Sequence, residues 1–118
     1  MLRILCKSKI NGAVVTRKEL DYNGSIGVDK NIMQAADILP GEQVQVLNKN
    51  NGERITTYVI EEKTESGNIV LYGPAARKGE VGDGLIILSY CFLKTRESHN
   101  FNIRKINLGK DNKVKKKK

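Results

Sequence analysis

The chain of 118 residues contains no tryptophan, one histidine, two cysteines, two phenylalanines and two prolines. His99 stands in the polar stretch Thr95 to Asn100, so a histidine-built zinc site or a buried Ser-His-Asp triad has almost nothing to draw on, and no metal is expected. The longest apolar run, Gly84 to Leu93, reaches about half of the ~20 residues that a membrane-spanning helix needs, and no membrane association is expected. Cys6 and Cys91 both sit inside apolar runs. Without a secretory signal they read as reduced core thiols of a cytoplasmic protein.

A basic excess is present, but it is unevenly placed. Lys and Arg number 21 against 13 Asp and Glu, a net charge of +8, and residues 110–118 hold six Lys and one Asp, which is +5 of that total. A nucleic-acid face belongs on a folded body and is helped by aromatic stacking platforms. This chain is short of both. The composition fits one compact domain over 1–109, followed by a lysine-rich, solvated, disordered tail over 110–118.

Short pieces of alternating and β-branched residues recur at 2–10, 13–16, 43–47, 54–60, 68–72 and 85–93, which predicts a mainly β chain. Asn51-Gly52 predicts a tight antiparallel hairpin between 43–47 and 54–60, and Asn23-Gly24 a second tight turn with strand on either side. One helix is expected, from an Asp29 N-cap through Ile32, Met33, Ala36 and Ile38 to a stop at Pro40-Gly41. A shorter helical turn begins at Pro74, leaving the amides of Ala75 and Ala76 free. Gly79, Gly82 and Gly84 invite a phosphate-loop reading, but their GxxGxG spacing precedes a strand instead of following one, and a turn is the simpler reading. Short strands with little helix suggest a closed barrel.

Arg54 and Tyr58 share one face of a predicted strand and Thr57 takes the other. A guanidinium and a phenol so placed can hold a carboxylate and donate a proton beside it. The same pattern also describes the solvent-facing stripe of a hairpin. Lys9 reads as an ordinary strand lysine.

Four stretches occur together in this short chain: TyrAsnGlySerIle at 22–26, AsnAsnGlyGluArg at 50–54, ThrThrTyrValIle at 56–60 and GlyProAlaAlaArg at 73–77. In this order the chain resembles the pyruvoyl-dependent aspartate decarboxylases from about Leu2 to Tyr90. The resemblance implies a small six-stranded double-psi β-barrel with short helices. It implies decarboxylation of L-aspartate to β-alanine and carbon dioxide, for pantothenate and coenzyme A synthesis, in a homotetramer with active sites between subunits. It also implies that the chain cuts itself between Gly24 and Ser25, and that Ser25 becomes the pyruvoyl group, a covalent cofactor that forms an imine with the substrate. By the same resemblance Lys9 and Arg54 are carboxylate partners, Tyr58 is the proton donor and Thr57 steadies the oxyanion of self-cleavage and contacts substrate. Gly73, Ala75 and Ala76 line the pocket, and Tyr22, Tyr72 and Ile86 lie near the pyruvoyl group. A strained turn at Gly24 would help the cut. Three positions depart from the family's pattern: Asn11 where many members have His, Tyr72 where an Asn is common, and Pro74 where an Ala supplies an amide. With a phenol at 72 and no amide at 74, slow self-cleavage is expected. The rival reading is a small basic β-barrel regulator that binds nucleic acid without catalysis; a third is a decarboxylase-like barrel that no longer processes itself.

Overall fold

The computed structural model describes residues 1–116. Eight strands form one sheet: β1 (Leu2–Val14), β2 (Arg17–Glu19), β3 (Ser25–Asp29), β4 (Gln43–Asn48), β5 (Arg54–Glu62), β6 (Ile69–Tyr72), β7 (Gly84–Lys94) and β8 (Arg104–Asn107), with the helices α1 (Lys30–Ala36) and α2 (Thr95–Ser98). Their order is β2-β6-β3-β5-β4-β7-β1-β8. Only Val15 and Thr16 separate β1 from β2, yet these strands stand near opposite ends of that order. The sheet must therefore curl round to bring them together, and this is the barrel. The mainly β architecture with short helices is as expected, although the sheet has eight strands, the three-residue β2 and four-residue β8 being its two ends.

Alternation builds the core. Val44 and Val46 on β4, Val59 on β5, Leu85 and Ile87 on β7 and Ile10 on β1 turn inward and are buried, joined by Ile32, Met33 and Ala36 from α1. Asp29 caps α1 by accepting from the Asn31 amide at 2.8 Å, and it also accepts from the amides of Glu65 at 3.0 Å and Gly67 at 2.9 Å. A buried carboxylate is tolerated here because three donors replace its water. The helix stops at Ala36, before the expected Pro40-Gly41, because Asp37 takes a left-handed conformation. Ile38 still reaches the core.

Several turns differ from expectation. The 43–62 hairpin is antiparallel with Leu47 opposite Arg54, but its loop is wider than a two-residue turn. Only Gly52 of the Asn51-Gly52 pair takes a positive φ, and the Asn48 side chain closes the loop by accepting from the Asn50 amide at 2.8 Å. Asn23-Gly24 is not a hairpin turn at all: β6 lies between β2 and β3, and neither residue has a positive φ. The glycine-rich 79–84 segment is a turn into β7, as expected. The cysteines are free but half-buried, not core residues, because the start of β1 and the end of β7 run past the core as an exposed arm carrying Leu2, Ile4 and Phe92.

The fold continues past the expected boundary at 110. Residues Lys110–Asn112 form a 3-10 turn, Leu108 bridges Val114, and Asn112 is buried. The Asn112 side chain accepts from the Val14 amide at 2.8 Å and donates to the carbonyls of Val14 at 2.9 Å and Gly67 at 2.8 Å. Charge did not prevent packing because the lysines alternate with Asn112 and Val114, which point inward. Lys117 and Lys118 of the expected tail lie outside the described residues. Replacing Asn112 with Ala leaves buried backbone groups unpaired and should cost about 2 to 4 kcal/mol in urea unfolding. A loss below about 0.5 kcal/mol, as for an ordinary surface position, would show that the segment is not part of the fold.

Candidate active site

The feature that positions the site is the placement of β6 between β2 and β3. Glu19 on β2 and Ser25 on β3 both pair with Tyr72. The connecting loop, 20–24, must then cross over the end of β6, where the chain continues as Gly73 and Pro74. Gly73 takes φ +63, and a Cβ there would press into the Tyr22 carbonyl oxygen and stand 2.8 Å from the Gly24 nitrogen. A Cβ on Gly24 would stand 3.2 Å from the Pro74 ring. The left-handed glycine is therefore Gly73, across the ladder from the expected cleavage point, while Gly24 lacks the strained conformation anticipated for it. Ser25 is fully buried, and its Oγ donates to the Asn23 carbonyl at 3.3 Å.

Beside this loop lies a cleft of about 420 Å³ walled by Gly24, Thr57, Tyr58, Pro74, Ala75 and Lys78. It brings four of the sequence-identified positions together: Gly24, Thr57, Tyr58 and Ala75. Gly73 lies under the loop. Pro74 opens a 3-10 turn, Gly73–Lys78, as the proline predicts, and Ala76 faces a neighbouring depression with Lys18, Leu20 and Arg77.

Arg54 and Tyr58 share the exposed face of β5, as their parity requires, while Thr57 is half-buried. The guanidinium donates to Gln45 Oε1 at 2.8 Å, and the same oxygen accepts from the Tyr90 hydroxyl at 2.7 Å. Lys9 and Ile86 are not brought to the cleft within one chain. Thr56 pairs with Gln45, Gln45 with Leu88 and Leu88 with Lys9, so Lys9 lies three strands away, about 14 Å along the sheet. Ile86 is two strands from Arg54, across Leu47.

Tyr22 is exposed and packs against Tyr72 with ring centroids 4.5 Å apart and the planes tilted by 37°. Tyr72 itself is buried and does not line the cleft. Its hydroxyl donates to Glu62 Oε2 at 2.8 Å and accepts from Arg17 Nη2 at 3.0 Å. Burial first, and then the Glu62 carboxylate, push the phenol above its ordinary range. Glu62, Arg17 and Lys78 were missed in the sequence. Nothing in the spacing of Arg17 and Glu62 marks them, and Lys78 carries only the weak signal of ending the turn that Pro74 begins; it pairs with Glu53 at 3.6 Å. Among the described residues no group of three or more His, Cys, Asp or Glu could hold a metal, and no helix is long and apolar enough to cross a membrane.

A family profile described as aspartate decarboxylase matches residues 1–115. The chain is 50% identical over 113 residues to the aspartate 1-decarboxylase of Thermoanaerobacter pseudethanolicus, covering 96% of this chain and 97% of that one. It is 56% identical over 93 residues to the enzyme of that name from Coxiella burnetii, covering 79% and 84%. With the counterpart from Ralstonia nicotianae it shares 42% over 115 residues, covering 98% and 96%. The chain belongs to the aspartate decarboxylase family.

Gly73→Ala should cost about 2 kcal/mol or more, because a left-handed φ and a collision with loop 20–24 act together. That corresponds to a melting temperature lower by roughly 8 °C or more. Gly52, with φ +77 and nothing within 4 Å of a Cβ, isolates the conformational part. Equal shifts for Gly73→Ala and Gly52→Ala would show that the close approach to the loop has no energetic weight.

Proposed function

We propose that the chain cuts its own Gly24–Ser25 bond and then decarboxylates L-aspartate to β-alanine and carbon dioxide, acting as a carboxy-lyase of its family. The observation that carries the reading is the buried Ser25, locked in register with Tyr72 at the edge of a cleft that also holds Thr57 and Tyr58. The rival nucleic-acid regulator has no support in either the comparisons or the site.

Self-cleavage follows from the chemistry of the loop. Ser25 Oγ sits against the Asn23 carbonyl, and rotation about its side-chain bond can carry it toward the Gly24 carbonyl carbon. Attack there forms a C–O bond and breaks the C–N bond, and the hydroxyl proton passes to the Ser25 nitrogen, leaving an ester. Negative charge develops meanwhile on the Gly24 carbonyl oxygen. The Thr57 hydroxyl, in the same cleft as Gly24, is the side-chain donor that meets it. Loss of the Ser25 Cα proton and departure of the Gly24 carboxylate then give dehydroalanine, and hydrolysis releases ammonia.

The residues fit a pyruvoyl group made from Ser25: the position is shut from bulk water by its burial, and the residue before it, Gly24, lines an open cleft. Such a group takes up the substrate's amino nitrogen and accepts the electrons freed as carbon dioxide leaves. Everything else falls to ordinary side chains. Arg54 can exchange its neutral partner Gln45 for a substrate carboxylate, a stronger, charge-assisted and bidentate contact. Tyr58, half-exposed in the cleft, returns the proton to the carbon that has lost its carboxylate. Ala75 shapes the wall and Gly73 seats the loop beside it, while Ala76, Tyr22 and Ile86 lie outside the cleft. Lys9, too distant within one chain, fits a homotetramer whose sites are completed by a neighbouring copy. The exposed arm bearing Leu2, Ile4 and Phe92 supports that assembly, since its apolar surface finds no cover in one chain.

Carbon dioxide and β-alanine released from labelled aspartate test the reaction. Wild type is expected to produce both, and Ser25→Ala neither; product from Ser25→Ala would refute the role of Ser25. In fully cut protein, Arg54→Ala should raise KM for aspartate through loss of about 2 to 5 kcal/mol of carboxylate binding, with cutting intact. Unchanged kinetics would remove Arg54 from the substrate site.

A further inference from the structure

Tyr72 occupies the one position paired on both sides by the ends of loop 20–24. Its side chain runs from Ser25 past Gly27 to Glu62. A Cβ on Gly27 would stand 2.8 Å from Tyr72 Cε2 and collide with Glu62 Oε2, so the missing side chain at 27 is what lets phenol and carboxylate meet. The Glu62 side chain is only 11% exposed. A carboxylate so enclosed is costly unless it is partnered, and its partners are the Tyr72 hydroxyl at 2.8 Å and Arg17 Nη2 at 3.8 Å.

A phenol has one proton to donate. In Tyr72 that proton goes to Glu62, while Arg17 donates to the oxygen. The hydroxyl is therefore engaged away from the Gly24 carbonyl, and it cannot serve as the oxyanion donor that its position first suggests. What Tyr72 offers the loop is its ring, packed at a tilt against Tyr22 two residues before Gly24. Gly73 meets the backbone of Tyr22 and Gly24, and Pro74 meets Gly24 from the next position.

We propose that Glu62, Tyr72 and Arg17 are positioning residues for self-cleavage: Glu62 and Arg17 fix the Tyr72 ring, and the ring clamps Tyr22 so that the loop presents the Gly24–Ser25 bond in one arrangement. This rests on the reading that the bond is cut. It inverts the expectation drawn from the Tyr72 departure, since the phenol assists by holding the loop. Thr57 is left as the side-chain donor to the oxyanion.

The test is a time course of cutting, followed by intact mass on freshly purified uncut chain. Glu62→Ala should slow cutting about tenfold, the equivalent of one charge-assisted hydrogen bond. Tyr72→Phe, which keeps the ring and its volume, should slow it similarly, and the double variant should be no slower than either alone because one coupled unit has been broken. In the uncut Ser25→Ala background, Glu62→Ala should also shift the Tyr22 ring resonances, a change that loss of an oxyanion donor would not cause. If Tyr72 were that donor, Tyr72→Phe would lose a hundredfold or more, and Glu62→Ala, by freeing the hydroxyl, would cut as fast as wild type or faster. Either result overturns the proposal. Should Glu62→Ala not fold, Tyr72→Phe decides alone: wild-type rate or a loss beyond a hundredfold overturns it. A wild-type chain that stays whole overturns the reading of self-cleavage beneath it, whereas wild type that cuts while Glu62→Ala is no slower overturns only the network.

Discussion

The insertion of β6 between β2 and β3 is the constraint on which the site depends. Because Glu19 and Ser25 pair with the same residue, Tyr72, five loop residues must pass over the end of one strand. That passage admits no side chain at position 73 and requires a left-handed backbone there. Ser25 is then buried by ladder pairing, without need of a catalytic pocket of its own. The barrel supplies the stiffness: β3 is held on one side by β5 and on the other by β6, and strands so paired do not yield to the loop.

The two faces of β5 divide the remaining tasks. Even-numbered positions carry Arg54 and Tyr58 outward, where a substrate and a neighbouring copy can reach them, while Thr57 turns the other way toward the loop. On the proposed reading, one strand serves both the cutting of the chain and the reaction that follows. The same alternation places Glu62 at the end of the strand, under Gly27, where it meets Tyr72 instead of solvent. Outer-face residues farther round the sheet, Ile86 and Lys9, cannot share this cleft within one chain. Their distance is what the proposed assembly of several copies would have to bridge.

Local chemistry was legible in the sequence and crossing chains were not. Asp29 as a helix cap, Pro74 at the start of a turn, the inward and outward split of Arg54, Thr57 and Tyr58, and the hairpin between β4 and β5 all depend on neighbours within a few residues. Asn23-Gly24 misled because the same pair marks a hairpin turn when its flanking strands pair with each other. Here a third strand, distant in sequence, lies between them. The lysine-rich end misled in the same way: composition describes a solvated tail, yet Asn112 finds Val14 and Gly67, partners that no local pattern reveals. Tyr72 departs visibly from the family's pattern, but its pairing with Glu62 and Arg17 depends on Gly27, whose missing side chain opens the path between strands distant in sequence.

The central claim is that this crossing singles out one peptide bond for cutting. The intact mass of the purified wild-type chain, with stepwise amino-terminal sequencing of the products, tests it most directly. The account predicts two polypeptides, residues 1–24 and 25–118, the larger resisting amino-terminal sequencing because its first residue no longer carries an amino group. A chain of full mass after prolonged incubation, or a cut at any other bond, would contradict it.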